Sequence, residues 1–123
     1  MLKMLIVEDN QQQCKQITNI VSRNVKDVKL YSYVHSVSEA LEIINNKSID
    51  FLLLDLKLED GSGIRIINYL ERNNMFEYEK SIIIISGESH MISQIIHSKY
   101  VFGIIYKPIN FDKLNTLVNE FID

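Results

Sequence analysis

Short, continuously apolar runs separated by longer segments with helical spacing constrain this chain more than any other feature. The runs are Met4-Leu5-Ile6-Val7, Phe51-Leu52-Leu53-Leu54, Ile82-Ile83-Ile84-Ile85 and Ile104-Ile105-Tyr106, with an alternating one, Val28 to Val34. A strand buried on both faces of a parallel sheet reads as a continuous apolar run, whereas alternation suits a position near an edge. Four consecutive isoleucines also favour strand, because β-branched side chains fit the pleat better than the helix. Between the runs, Ile17, Ile20, Val21 and Val25 follow one face of a first helix starting near Asn10. Val37, Ala40, Leu41 and Ile44 mark a second behind a capping box, Ser36-x-x-Glu39. Ile64, Ile67 and Leu70 mark a third, and Ile92, Ile95 and Ile96 a fourth capped by Ser89. Phe111, Leu114, Leu117, Val118 and Phe121 mark a fifth behind Asn110. Five β-α units joined by right-handed crossovers predict a doubly wound α/β fold: a five-stranded parallel sheet flanked by five helices.

The 123 residues make one domain, 1–123, with no repeat or linker. Hydrophobic residues at 46% and charged ones at 24% indicate a folded globular chain. A net charge of −3 gives no reason to expect direct nucleic-acid or membrane binding. No apolar run reaches the ~18 residues that span a bilayer, and the N-terminus lacks signal-peptide anatomy. The single cysteine, Cys14, excludes an internal disulfide, and a reducing, cytoplasmic setting is expected. It sits between the polar and apolar faces of the first helix, with a packing role. His35, His90 and His97 show no ligand spacing and read as surface residues.

In doubly wound sheets ligands bind beyond the carboxyl ends of the strands. Glu8-Asp9 follows the first strand, Asp55 ends the third, Ser86 the fourth, and Lys107-Pro108 follows the fifth. Three carboxyl groups on one dry rim would suffer desolvation and mutual repulsion, which a divalent cation relieves. Hard oxygen donors with an open shell suit Mg²⁺. Lys107 can reach back to Asp55 and then to phosphoryl oxygens, and Ser86 can donate to such an oxygen. The stretch Asp55-Leu-Lys-Leu-Glu-Asp-Gly-Ser-Gly63 is a shaped loop, but no Walker or dinucleotide motif is present. Gly61, Gly63, Gly87 and Pro108 follow strands on this rim, whereas Gly103 precedes the fifth strand.

The acidic pair, the strand-ending aspartate, the strand-4 hydroxyl and the Lys-Pro dipeptide, each at its own strand, resemble the receiver domain of two-component response regulators. Phe51 to Gly63 is similar to that family's phosphorylation-site stretch. The resemblance covers essentially the whole chain and implies a flavodoxin-like sheet of order 2-1-3-4-5. It implies that Asp55 accepts a phosphoryl group from a phosphohistidine on a sensor histidine kinase or phosphotransfer protein. It further implies that Asp9, Asp55 and the Lys57 backbone carbonyl ligate Mg²⁺, with Glu8 acting through water, while Lys107 and Ser86 bind phosphoryl oxygens. The product is a signalling switch rather than an enzyme. A downstream effector would read the fourth helix, fifth strand and fifth helix, where Gln94, His97, Ser98, Lys113 and Asn119 are expected to be exposed.

Two departures stand out: Glu59 replaces a frequent proline, and Ile104 occupies the position of a switching aromatic, with Tyr106 next to the lysine instead. Signalling is therefore expected to rely on Ser86 and the Gly87-Glu88 loop, or on the fifth strand and helix. A pseudo-receiver working without phosphorylation is the alternative, and the complete acid, serine and lysine set argues against it. A flavodoxin is disfavoured by the acidic Glu-Asp-Asn-Gln loop after the first strand. An aspartate-nucleophile phosphatase is disfavoured because Leu-Lys follows Asp55. The output pathway, and whether the segment stands alone or belongs to a longer regulator, are open.

Overall fold

The computed structural model describes residues 1–123, and its main sheet follows the apolar runs. In chain order the elements are β1 (Leu2–Val7), α1 (Gln11–Asn24), β2 (Val28–Val34), α2 (Val37–Asn46) and β3 (Phe51–Asp55). A small hairpin, β4 (Lys57–Leu58) with β5 (Gly61–Ser62), leads into α3 (Ile64–Arg72). After a 3₁₀ turn at Phe76–Tyr78 come β6 (Ile82–Ser86), α4 (Ser89–Ile92), β7 (Val101–Tyr106) and α5 (Phe111–Ile122). The sheet is parallel throughout, in the order β2-β1-β3-β6-β7. With the hairpin strands set aside this is the expected order 2-1-3-4-5, and the alternating run β2 lies at an edge.

Successive residues of a strand point to opposite faces. Leu5, Val7, Leu52, Leu54, Ile82 and Ile84 therefore enter a core beneath α2 and α3. Met4, Ile6, Phe51, Leu53, Ile83 and Ile85 enter a second core beneath α1 and α5. The central runs must be apolar at every position because each face has its own core. Each fully buried isoleucine contributes about 2 kcal/mol of transfer free energy.

Helix starts follow the caps read from the sequence. Asn10 Oδ1 accepts from the Gln13 N–H at 2.9 Å, and Asn110 Oδ1 from the Lys113 N–H at 3.1 Å. Ser36 Oγ accepts from the Glu39 N–H at 3.2 Å. Glu39 does not close the reciprocal box on Ser36, because its carboxylate takes the Ser36 hydroxyl and the His35 N–H.

Five expectations change. α4 is one turn, Ser89–Ile92, with Glu88 rather than Ser89 at its N-cap. Beyond it the chain continues in bonds from Ile95 N to Ile92 O and from Ser98 N to Ile95 O, a tighter winding than an α-helix. Three-residue spacing keeps Ile92 and Ile95 on the core, while Ile96 is turned out and 47% exposed. Gly103 lies inside β7, where a Cβ would approach the Leu117 side chain to 3.0 Å. Cys14 is wholly buried on the apolar face of α1, and His35 is only partly exposed. No helix is long and apolar enough to cross a membrane.

Candidate functional site

Strands β1, β3 and β7 deliver the predicted charged residues to one polar cleft. The ladder with β2 runs one residue past β1, since the Glu8 N–H donates to the Val34 carbonyl at 2.9 Å. This draws Glu8 inward to 2% exposure, whereas Asp9 turns out to solvent. Asp55 ends the central strand and is 5% exposed. One of its oxygens, Oδ1, accepts the Lys57 N–H at 3.1 Å. Lys107 crosses from β7, and its ammonium donates to Glu8 Oε1 at 2.8 Å and to Asp55 Oδ2 at 2.9 Å. The second Glu8 oxygen accepts the Asn10 N–H at 3.1 Å. The Lys107–Pro108 peptide is cis.

The electrostatics follow from this crowding. Burial pushes the Glu8 carboxyl up to about 7; the Lys107 hydrogen bond opposes that shift, and the Asp55 charge adds to it. Burial pulls Lys107 down, but the hydrogen bonds to Glu8 and Asp55 outweigh it and its affinity for the proton is raised. Burial, with the charges of Glu8 and Asp9, lifts the Cys14 thiol to about 11. Its Sγ–H donates to the Glu8 carbonyl at 3.4 Å, so Cys14 is a protonated packing residue.

Glu8, Asp9 and Asp55 each offer an oxygen within 4.8 Å of the others. An all-carboxylate donor set on an open cleft, without thiol or imidazole, fits a hard divalent cation such as Mg²⁺. Asn10, Gln13, Lys57, Gly87 and Glu88 complete the walls, and no apolar side chain contributes. Lys57 and Glu88 face each other across the mouth at 4.0 Å, and His90 approaches Glu88 at 3.7 Å. Both Lys57 and His90 are largely exposed, so these contacts contribute little.

Ser86 is brought to the rim but not into the cleft. It is fully buried, and its Oγ accepts the Glu88 N–H at 3.1 Å, which leaves the hydroxyl proton available to donate. Ile104 pairs with Ile84 inside the sheet, while Tyr106 stands 52% exposed at the strand end. The sequence alone did not reveal that Lys107 bridges both acids, nor that His35 Nδ1 lies 2.9 Å from the Glu8 carbonyl. The position of His35 directly after an apolar strand was its only signal.

The model of the response regulator receiver domain matches residues 4–119. The chain belongs to this family. A curated relative, the sensory transduction protein LytT of Bacillus anthracis, is 31% identical over 72 residues, 58% of this chain and 29% of that protein. The matched part thus spans under a third of the relative's length. The receiver fold recurs in the signal receiver domain of a putative Luxo repressor protein from Vibrio parahaemolyticus. That structure has a TM-score of 0.83 at 24% identity, covering 98% of this chain and 89% of the other. A CheY-like receiver domain protein from Methanospirillum hungatei JF-1 has a TM-score of 0.80 at 20% identity, covering 98% and 92%. At these identities the likeness concerns the fold.

Proposed function

We propose that residues 1–123 form a phosphorylation-dependent switch in which Asp55 accepts a phosphoryl group from a phosphohistidine of a sensor histidine kinase or phosphotransfer protein. The observation that carries this reading is a nearly buried Asp55 carboxylate at the end of the central strand. It opens on a wholly polar cleft and is flanked by two further acids and a bridging lysine. An Asp55 oxygen attacks phosphorus in line; the P–N bond breaks, and its electron pair stays on the departing imidazole, which takes up a proton. Asp9, Asp55 and the Lys57 carbonyl would hold Mg²⁺, with Glu8 acting through water. When bound, the ion neutralises carboxylate charge and draws charge from the phosphoryl oxygens. Lys107 exchanges its bond to Asp55 for a phosphoryl oxygen. Ser86 swings its free hydroxyl proton toward another, releasing the Glu88 N–H.

Those two movements displace the Gly87-Glu88 loop and the end of β7, and so bias the face read by an effector. Exposed Ile96 and Tyr106 supply apolar area on that α4, β7 and α5 face. The domain assists its own phosphorylation rather than turning over a substrate, and its proposed setting is the cytoplasm.

Incubation with Mg²⁺ and a small phosphodonor, followed by intact mass, tests the proposal. One added phosphoryl group is expected, lost in Asp55→Ala. No label from the small donor or from a phosphohistidine protein would leave a pseudo-receiver as the function.

A further inference from the structure

The β2–α2 junction contributes no side chain to the acidic cleft, yet it holds both loops that carry the cleft's ligands. His35, the first residue after β2, has its Nδ1 2.9 Å from the Glu8 carbonyl oxygen. A carbonyl only accepts, so Nδ1 carries the proton. The Cys14 thiol reaches the same oxygen at 3.4 Å, but S–H is the weaker donor. On the other side, the Val37 and Ser38 N–H groups donate to the two carboxylate oxygens of Asp60 at 2.7 and 3.1 Å. Asp60 lies in the turn of the β4–β5 hairpin, three residues beyond Lys57. Ser36 serves the Glu39 N–H. Asp60 therefore takes the first α2 donors that this cap leaves over, with its negative charge at the favourable end of the helix. These amide bonds hold its carboxyl below the usual range.

We propose that His35 and Asp60, tied together through the first turn of α2, are positioning residues for the metal site. His35 fixes the Glu8 carbonyl, and with it the direction in which Glu8 and Asp9 leave β1. Asp60 fixes the hairpin, and with it the Lys57 carbonyl and the loop around Asp55. Neither touches the cation. Ligand orientation set from outside the coordination sphere is worth about 10–100-fold in metal affinity. This inference rests on reading the cleft as a Mg²⁺ site.

The experiment is a Mg²⁺ titration of the ¹⁵N-labelled full chain, followed by amide shifts, alongside urea unfolding of each variant. His35→Leu is expected to weaken Mg²⁺ about tenfold, the lower end of that range. His35→Asn keeps an N–H donor near the Nδ1 position and is expected to recover most of the loss. Asp60→Ala, at an exposed position, is expected to weaken Mg²⁺ by a smaller factor with the fold intact. Native-like folding of His35→Leu and Asp60→Ala with unchanged Mg²⁺ affinity overturns the inference and leaves the metal site standing. Equal weakness of the Leu and Asn variants overturns the role of the His35 donor. A wild-type chain without a saturable Mg²⁺ response overturns the metal site and the inference together.

Discussion

Glu8 is the residue where burial and charge conflict most openly. Its carboxyl titrates near 7 when folded, against an ordinary value of 4.5. Between those values the native state holds the proton more firmly than the unfolded chain does. Stability therefore falls as pH rises through the window, is highest with respect to this group below it, and bears the full cost above it. In metal-free solution the wild-type urea midpoint should decline between about pH 5 and pH 7.5. Glu8→Gln keeps the shape without the charge and should flatten that part of the slope. Parallel slopes for the two proteins would show that Glu8 is not the titrating group. Burial drives the shift, and the sequence anticipated it only qualitatively, as three acids on one rim. It could not say which acid is drawn inward, because that depends on a ladder bond from Glu8 N to Val34 O.

Among the four glycines, Gly63, at the junction between hairpin and α3, has the tightest surroundings. A Cβ on Gly63 would fall 2.4 Å from the Asp55 carbonyl oxygen and 3.1 Å from Leu56 Cα. Its φ of −59° is ordinary, so glycine is required there for space rather than for conformation. Gly63→Ala should cost about 1–3 kcal/mol, as overpacking does, and displace the strand end that carries Asp55. Urea unfolding reads the first effect, and the Lys57 amide shift reads the second. An unchanged midpoint would mean that the backbone yields at no cost. The flanking β4–β5 hairpin was not legible, because two-residue strands carry no periodicity. The long strands were legible from continuous apolar runs, and three helix starts from Asn10, Ser36 and Asn110. The fourth helix was overread: isoleucines at 92, 95 and 96 satisfy a helical period, and a three-residue winding uses only the first two.

At the scale of the whole molecule, the alternation that produces two cores also gathers the site. Parallel strands all leave the sheet at one end, so residues far apart in sequence, such as Glu8, Asp55 and Lys107, meet there. The sequence pointed Lys107 at Asp55, and that bond forms; its second bond, to Glu8, was not readable, since it depends on strand neighbours and twist. Because β1, β3 and β7 all end in the cleft, its charge state bears on global stability. Mg²⁺ bound only by the folded chain stabilises it by mass action, about 2.7 kcal/mol at a hundredfold excess over Kd. In the proposed site a cation favours ionised Glu8, so its binding would release the proton that Glu8 otherwise holds up to about pH 7. The gain in Tm from Mg²⁺ should therefore be larger at about pH 7.5 than at about pH 5.5, opposing the metal-free decline. Asp9→Asn should shrink the gain at both values by removing one of the proposed ligands. Melting curves with and without Mg²⁺ at each pH give the comparison. An equal gain at both would place Glu8 outside the cation's reach, and leave Asp9, Asp55 and the Lys57 carbonyl to hold it alone.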